Sequence, residues 1–347
     1  MQKKGNKYGT HRVISPKGVL PQPADKIDNN MDEIYDNEIL IKVQTLNIDS
    51  ASFTDISTRA GGDKKKIAEI MMDIVAKQGK HRNPWTGSGG MLLGKVEKIG
   101  DALKGKTDLK VGDKIATLVS LSLTPLRIDK IKEIRADVDQ VDIDGKAILF
   151  ESGIYAKIPT DLPEKLALSA LDVAGAPAQT AKLVKPGDTV LIIGAGGKSG
   201  MLCCYEAKKR AGVTGKVIGL CHSEKSAKRL EDLGFCDVVF TANATQPVPV
   251  LEKIEKLTNG KLCDVTINNV NINDTEMTSV LCTKDDGVVY FFSMATSFTK
   301  AALGAEGVGK DVTMIIGNGY TKGHAEITLQ ELRECPKLRK VFTELYA

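Results

Sequence analysis

Histidine, tryptophan and cysteines at metal-ligand spacing are what this chain of 347 residues has least of. Its four histidines, at 11, 81, 222 and 324, lie far apart, and its seven cysteines (203, 204, 221, 236, 263, 282 and 335) include no C-x-x-C pair. Local metal-ligand spacing is therefore missing, and the cysteines read as small buried hydrophobes of a reducing compartment. With one Trp and a net charge of only +4, the notable basic run, Lys64-Lys65-Lys66, reads as a solvated helix start, and no nucleic-acid partner is expected. No apolar run approaches the ~20 residues of a membrane span. The first ten residues are polar and basic without the apolar core of a secretory signal, so a cytoplasmic protein with no membrane partner is expected.

The chain does have 42% hydrophobic residues, over a length that calls for about two domains. Up to residue 159 the pattern is short β-branched runs, 39–46, 92–99 and 111–116, bounded by Gly, Asp and Asn, as strands of a small barrel or curled sheet are. A helix over 64–77 interrupts them, with Ile67, Ile70, Met71, Ile74 and Val75 on one face. After Pro159 the texture changes. Helices over 162–171 and 174–183 lead to strands at 189–193, 217–220, 237–240, 265–267 and 287–292, with helices at 201–210, 226–233 and 249–257 between them. Strands alternating with helices at this spacing predict a parallel, doubly wound sheet. Residues 312–316 read as a strand at its edge and 329–346 as a terminal helix.

The second half is organised around one turn. Pro186-Gly187-Asp188 feeds an apolar strand that breaks into Gly194-Ala195-Gly196-Gly197-Lys198-Ser199-Gly200 and then a helix. Glycines at 194, 197 and 200 let backbone N–H groups at a helix N-terminus approach a pyrophosphate, whose charge suits the positive end of the helix dipole. The match to G-x-G-x-x-G is offset, because Ser199 stands where the third glycine belongs. Gly197-Lys198-Ser199 also looks like the tail of a triphosphate-binding loop, but that loop needs a glycine where Ile192 stands. A glycine turn that merely packs a helix on a strand is the plain alternative. At the end of the second strand the acid that usually grips the ribose hydroxyls is replaced by Cys221, followed by His222, Ser223 and Glu224. Without that acid the usual repulsion of a 2′-phosphate is absent, so these residues leave NADP open beside NAD.

Gly89-Gly90-Met91-Leu92-Leu93-Gly94-Lys95-Val96 lies where a G-H-E-x-x-G-x-V pattern would fall, and Val111-Gly112-Asp113-Lys114-Ile115 follows a V-G-D-R-V turn. With the glycine turn, these stretches make the chain resemble the medium-chain dehydrogenase/reductase superfamily. The resemblance implies an α/β protein with an N-terminal GroES-like β-rich barrel domain over 1–160 and a Rossmann doubly wound parallel-sheet domain over 161–325. A terminal helix within 326–347 can pack back on the first. Gly90 and Met91 replace the His and Glu used around catalytic zinc, so a zinc-free member with no metal site is expected. Asn268 and Asn269, and Ala295 and Thr296, would flank the nicotinamide half of the coenzyme, and the edge strand at 312–316 would be the seam of a homodimer. Three longer stretches, 11–24, 46–53 and 83–90, resemble a narrower family of amine dehydrogenases from bacterial lysine fermentation. That resemblance implies a small diamino-acid substrate, oxidative deamination at its 3-amino group, release of ammonia and NAD as coenzyme. A zinc-free quinone or enoyl reductase shares the scaffold, and a nucleoside-triphosphate switch built on Lys198 is the alternative of another class.

Removing a hydride from a carbon that bears nitrogen requires a free lone pair on that nitrogen, so a base must first take a proton from the substrate ammonium. Water must then attack the iminium. A carboxylate or histidine in a partly desolvated cleft suits both steps. The candidates are Asp49 and Ser52 in the loop after the first long run, and Glu151, as base or as a clamp for the remaining ammonium. Asp172 precedes the glycine turn, Arg82 beside Trp85 offers a bidentate partner for the substrate carboxylate, and His81 and His324 are further proton carriers. Each has an ordinary alternative: a helix-cap acid for Asp49, a surface carboxylate for Glu151, structural roles for the lone histidines.

Overall fold

The computed structural model describes residues 2–317 and 319–346, and the chain divides into two units between Glu164 and Lys165. In the first, β1 (Val13–Ser15) and β2 (Lys26–Ile27) form a small antiparallel pair. They are followed by β3 (Glu38–Asn47), α1 (Ser50–Arg59), α2 (Lys64–Gln78), β4 (Met91–Ile99), β5 (Lys114–Thr117), β6 (Leu126–Arg135), β7 (Gln140–Phe150) and β8 (Tyr155–Lys157). Six strands pair in the order β6-β7-β3-β4-β5-β8, every neighbour antiparallel. Near-alternate residues of β3, Ile39, Ile41 and Val43, point into one core with Leu92, Val96, Ile115, Leu126 and Val141. Phe53 and Ile56 of α1 and Ile67 and Met71 of α2 close that core from the helical side.

Helix α2 lies where the apolar spacing predicts it. Asp63 caps it by accepting from Lys65 N, and Gly79, with φ of 74°, ends it. Lys64, Lys65 and Lys66 are exposed on its first turn. Helix α1 was not expected, because Ser50, Ser52, Thr54, Asp55, Ser57 and Thr58 all have weak helix preference. Burial of Phe53 and Ile56 overrides that preference. The run expected as a strand over 111–116 begins pairing only at Lys114, since Gly112 turns the chain with φ of 96° and leaves Val111 exposed.

The second unit runs α3 (Glu164–Leu171), α4 (Gly175–Leu183), β9 (Thr189–Ile193), α5 (Lys198–Ala211), β10 (Lys216–Cys221), α6 (Glu224–Leu233), β11 (Val238–Thr241) and α7 (Pro247–Thr258). It continues through β12 (Cys263–Asn268), α8 (Glu276–Cys282), β13 (Thr283–Phe291), α9 (Phe298–Gly307), β14 (Val312–Ile316), α10 (His324–Glu334) and α11 (Pro336–Tyr346). Its six parallel strands lie in the order β11-β10-β9-β12-β13-β14. Numbered within the sheet this is 3-2-1-4-5-6, the doubly wound dinucleotide order with its switch point beside the first strand. The predicted α/β class, β-rich then parallel, is therefore observed. Leu191, Ile193, Ile218, Leu220, Val250 and Ile254 fill the core on one face of the sheet. All seven cysteines are free and six are buried, and burial pushes the thiols of Cys203 and Cys282 up to about 12. The single terminal helix expected over 329–346 is two helices. Cys335, extended at φ −118° and ψ 94°, precedes Pro336, which cannot continue α10. Both helices pack on α5, and α10 also packs on α4.

Candidate functional site

Strand β9 ends at the switch point, and the glycine turn leaves it there. Gly194 holds φ of 79°, open to glycine at little cost, and the Gly194 and Ala195 amides both donate to Leu220 O at 3.0 Å. A Cβ on Gly200 would lie 2.1 Å from Gly194 O, so only glycine lets α5 start this close to the strand. Exposed Gly197 is the N-cap residue of α5 and brings no side-chain acceptor. The first-turn N–H groups have no intrahelical acceptor either, and they present a ready cradle for a pyrophosphate.

The residues around the turn are partly committed. Lys198 Nζ pairs with Asp172 Oδ2 at 2.9 Å and lies 5.4 Å over the Tyr346 ring, so Asp172 and Lys198 are brought together and the cation is not aimed freely at a ligand. Ser199 is buried. Arg229 of α6 reaches back to donate to Gly196 O at 3.1 Å. Cys221 ends β10 buried, and burial raises its thiol. His222 and Ser223 follow it exposed, Ser223 Oγ capping α6 by accepting from Ser226 N at 3.3 Å. Asn268 is saturated: its Nδ2 donates to Thr275 Oγ1 at 2.8 Å and Ser279 Oγ at 3.0 Å, and its Oδ1 accepts from Val270 N. Its neighbour Asn269 keeps a buried Nδ2 with no hydrogen-bond partner among the described residues. Ala295 and Thr296 form a half-buried turn tied to Ser293.

In the first unit, β3 runs into α1, and the loop between α2 and β4 folds back along that helix. Asp49 sits at the N-cap position but makes no side-chain cap; its Oδ2 accepts from Gly89 N at 3.1 Å across the loop. Ser52, fully buried, places its Oγ 2.7 Å from Thr86 Oγ1 and 2.6 Å from Ser88 Oγ, and the latter two are 3.2 Å apart. Three hydroxyls in a closed ring can circulate their protons in either sense, since each is both donor and acceptor. Buried Asn83 fixes the loop: its Nδ2 donates to Ser52 O and Asp55 Oδ2, and its Oδ1 accepts from Trp85 N. These are neutral hydroxyls and an amide, poor ligands for zinc. No group of three His, Cys, Asp or Glu capable of holding a metal occurs among the described residues.

The other candidates lie apart. Glu151 is exposed beyond β7 and accepts from Asn37 Nδ2 at 3.1 Å. It stands at the Glu38 end of β3, whereas Asp49 follows the Asn47 end, a strand length of about 30 Å away. Arg82 is half-buried, its Nη1 3.5 Å from Pro23 O, and it is Arg59 that stacks on Trp85. His81 is buried in the same loop with neither ring nitrogen hydrogen-bonded among the described residues, and burial lowers it to about 4, the nearby backbone of His81 and Gly89 offsetting part of the effect. It is therefore neutral at ordinary pH and a weak base. His324 starts α10, edge-on to Tyr320, and burial lowers its pKa too.

Sequence reasoning missed Thr86, Ser88, Asn83, Asp55 and Arg59. The usable signal was Ser52, Asp55 and Arg59 at i, i+3 and i+7, one face of a helix, which becomes visible only once α1 is read as helical.

The family model described as the L-erythro-3,5-diaminohexanoate dehydrogenase N-terminal domain matches residues 11–159, and one described as zinc-binding dehydrogenase matches 199–318. The chain is 67% identical over 343 residues to L-erythro-3,5-diaminohexanoate dehydrogenase of Acetoanaerobium sticklandii. It is 63% identical over 344 residues to the protein of the same name from Fusobacterium nucleatum subsp. nucleatum, with 99% of each chain covered in both cases. Among solved structures it is similar to mycobacterial Rv1454c complexed with NADPH, at a TM-score of 0.56 and 19% identity over 92% of this chain and 91% of that one. Escherichia coli quinone oxidoreductase complexed with NADPH gives a TM-score of 0.51 and 16% identity over 95% and 87%. Likeness at that identity shows the fold.

Proposed function

The chain belongs to the L-erythro-3,5-diaminohexanoate dehydrogenase family, within the medium-chain dehydrogenase/reductase superfamily, and we propose that it oxidatively deaminates L-erythro-3,5-diaminohexanoate to 5-amino-3-oxohexanoate in cytoplasmic lysine fermentation. The observation that carries this reading is that the likeness runs the length of the chain, through the glycine turn of one unit and the polar cluster of the other.

A nicotinamide dinucleotide fits the second unit. The α5 first-turn amides and the close glycine approach at Gly194 and Gly200 suit its pyrophosphate. When bound, its ring accepts a hydride from the carbon that carries nitrogen. Cys221 in place of an acid at the end of β10, with Ser223 and Arg229 nearby and Glu224 engaged by Thr241, favours tolerance of NADP as well as NAD.

In the first unit, Asp49 is the acceptor we assign for the ammonium proton, being half-buried and held by Gly89 N in a loop fixed by Asn83. Thr86 Oγ1, the exposed member of the hydroxyl ring, orients the amine, and buried Ser52 holds Thr86 and Ser88 in place behind it. Once Asp49 has passed the ammonium proton to solvent, its carboxylate takes a proton from the water that attacks the iminium and returns it to the amine nitrogen; the carbinolamine then collapses, its hydroxyl proton going back to Asp49, to leave the ketone and ammonia. The second subunit of a homodimer would pair along β14, the edge strand; a monomer in solution scattering would refute that pairing. The reaction itself is tested by following the reduced-nicotinamide absorbance with 3,5-diaminohexanoate and each dinucleotide in turn. Reduction is expected with at least one; none with either would overturn the reading.

A further inference from the structure

We infer that Arg59, stacked on Trp85 and braced by Asp55, is the residue that binds the substrate's carboxylate and so selects amino acids over simple amines. The inference rests on the proposed function only for whose carboxylate it is.

A guanidinium has five N–H donors in a rigid fork. In Arg59 one of them, on Nε, is shared between the two oxygens of Asp55, both at 3.1 Å. The plane lies on Trp85, 3.6 Å from the ring centroid. The four N–H groups of Nη1 and Nη2 have no acceptor among the described residues, and the side chain is 41% exposed. An ordinary i,i+4 pair on a helix surface is held by nothing else. Here both supports trace to one buried residue: Asn83 donates to Asp55 Oδ2 at 3.2 Å and accepts from Trp85 N at 2.8 Å. The guanidinium is thus fixed in position and orientation with its outer edge open, which is the preorganisation that makes anion capture efficient.

Placement supports the assignment. Arg59 and Ser52 lie two turns apart on one face of α1, about 10 Å along the axis. Helical side chains lean toward the N-terminus, so the guanidinium reaches back toward the hydroxyl ring. The ligand class follows from charge. Asp55 already neutralises one positive charge, and the Arg59 hydrogen bond, helped by Asn83, holds its carboxyl below the usual range. A dianionic phosphate would meet that negative charge, whereas a monoanionic carboxylate matches the two parallel Nη donors.

Trp85 is the only tryptophan in the chain, so its emission reports on this position alone. The test is calorimetric titration of the whole protein without dinucleotide, so that no turnover occurs, using 3-aminobutanoate and 2-aminobutane, with Trp85 emission recorded alongside. Saturable binding with an emission change is expected for the carboxylate and not for the amine. Arg59→Met should weaken carboxylate binding about 10- to 100-fold, the range for hydrogen bonds to charged groups, and Arg59→Lys should weaken it less. Both variants should melt as folded proteins. In turnover, Arg59→Met should raise KM for 3,5-diaminohexanoate with kcat little changed, and leave 2,4-diaminopentane unaffected. Equal carboxylate binding by parent and Arg59→Lys or Arg59→Met, no saturable binding by the parent, or the same response to the amine would each overturn the inference. Carboxylate binding through Arg59 with no diaminohexanoate oxidation would instead overturn the proposed reaction and leave this site standing.

Discussion

Replacing His81 by Leu should remove a specific acid weakness of the protein. The imidazole is fully buried and neither nitrogen has a hydrogen-bond partner among the described residues, so burial holds its pKa at about 4 against an ordinary 6.5. As pH falls from 6.5 to 4 the unfolded chain takes up a proton that the folded chain refuses, so stability present above 6.5 is lost on the way down. At about 1.4 kcal/mol per tenfold change in proton affinity, the gap comes to about 3 kcal/mol. Leu cannot ionise in either state. Carboxylates also titrate over this range, so the informative quantity is the difference between parent and His81→Leu in urea-unfolding free energy, followed from pH 7.5 to 4. The parent should lose about 3 kcal/mol more than the variant, whatever constant offset repacking adds. Parallel curves, or a His81 ring resonance titrating near its ordinary value in the folded protein, would refute the claim that this imidazole is buried and neutral.

Asp49→Asn should lower kcat by about 10²- to 10⁴-fold while dinucleotide affinity stays the same, and near-normal turnover would remove Asp49 from the chemistry. Gly200→Ala drives a Cβ to within 2.1 Å of Gly194 O, so it should abolish dinucleotide binding in equilibrium dialysis and cost about 1–3 kcal/mol of stability. Glu331 of α10 is buried with both oxygens unpartnered among the described residues, and burial, then Glu206, raises its pKa well above 4.5. The folded chain keeps that proton, so stability present below 4.5 is lost as pH rises toward the folded value. Glu331→Gln should therefore melt above the parent by a margin that widens as pH rises from 4.5 toward the folded value, and a constant gap would contradict this.

The parallel sheet was legible because its strands are apolar runs bounded by helices, and Gly194 and Gly200 carry backbone geometry that no other residue supplies. Helix α1 was not, because its polar residues favour turns and only tertiary burial of Phe53 and Ile56 makes it helical. The hydroxyl ring was hidden for a related reason: Ser52 meets Thr86 and Ser88 across 34 and 36 residues, a closure set by the path of the loop after α2. Glu151 follows an apolar run that reads like the approach to a site, but β7 is antiparallel to β3, which carries Glu151 to the end away from Asp49. The break at Cys335 was visible as Pro336 and is a local rule rather than a tertiary effect.

The most direct test incubates the protein with 3,5-diaminohexanoate bearing deuterium at C3 and counts products. One ammonium released for each dinucleotide reduced, with the deuterium on the reduced ring, is the predicted result. Reduction without ammonia, or without transfer of the label, would contradict the oxidation of a carbon–nitrogen bond at that centre.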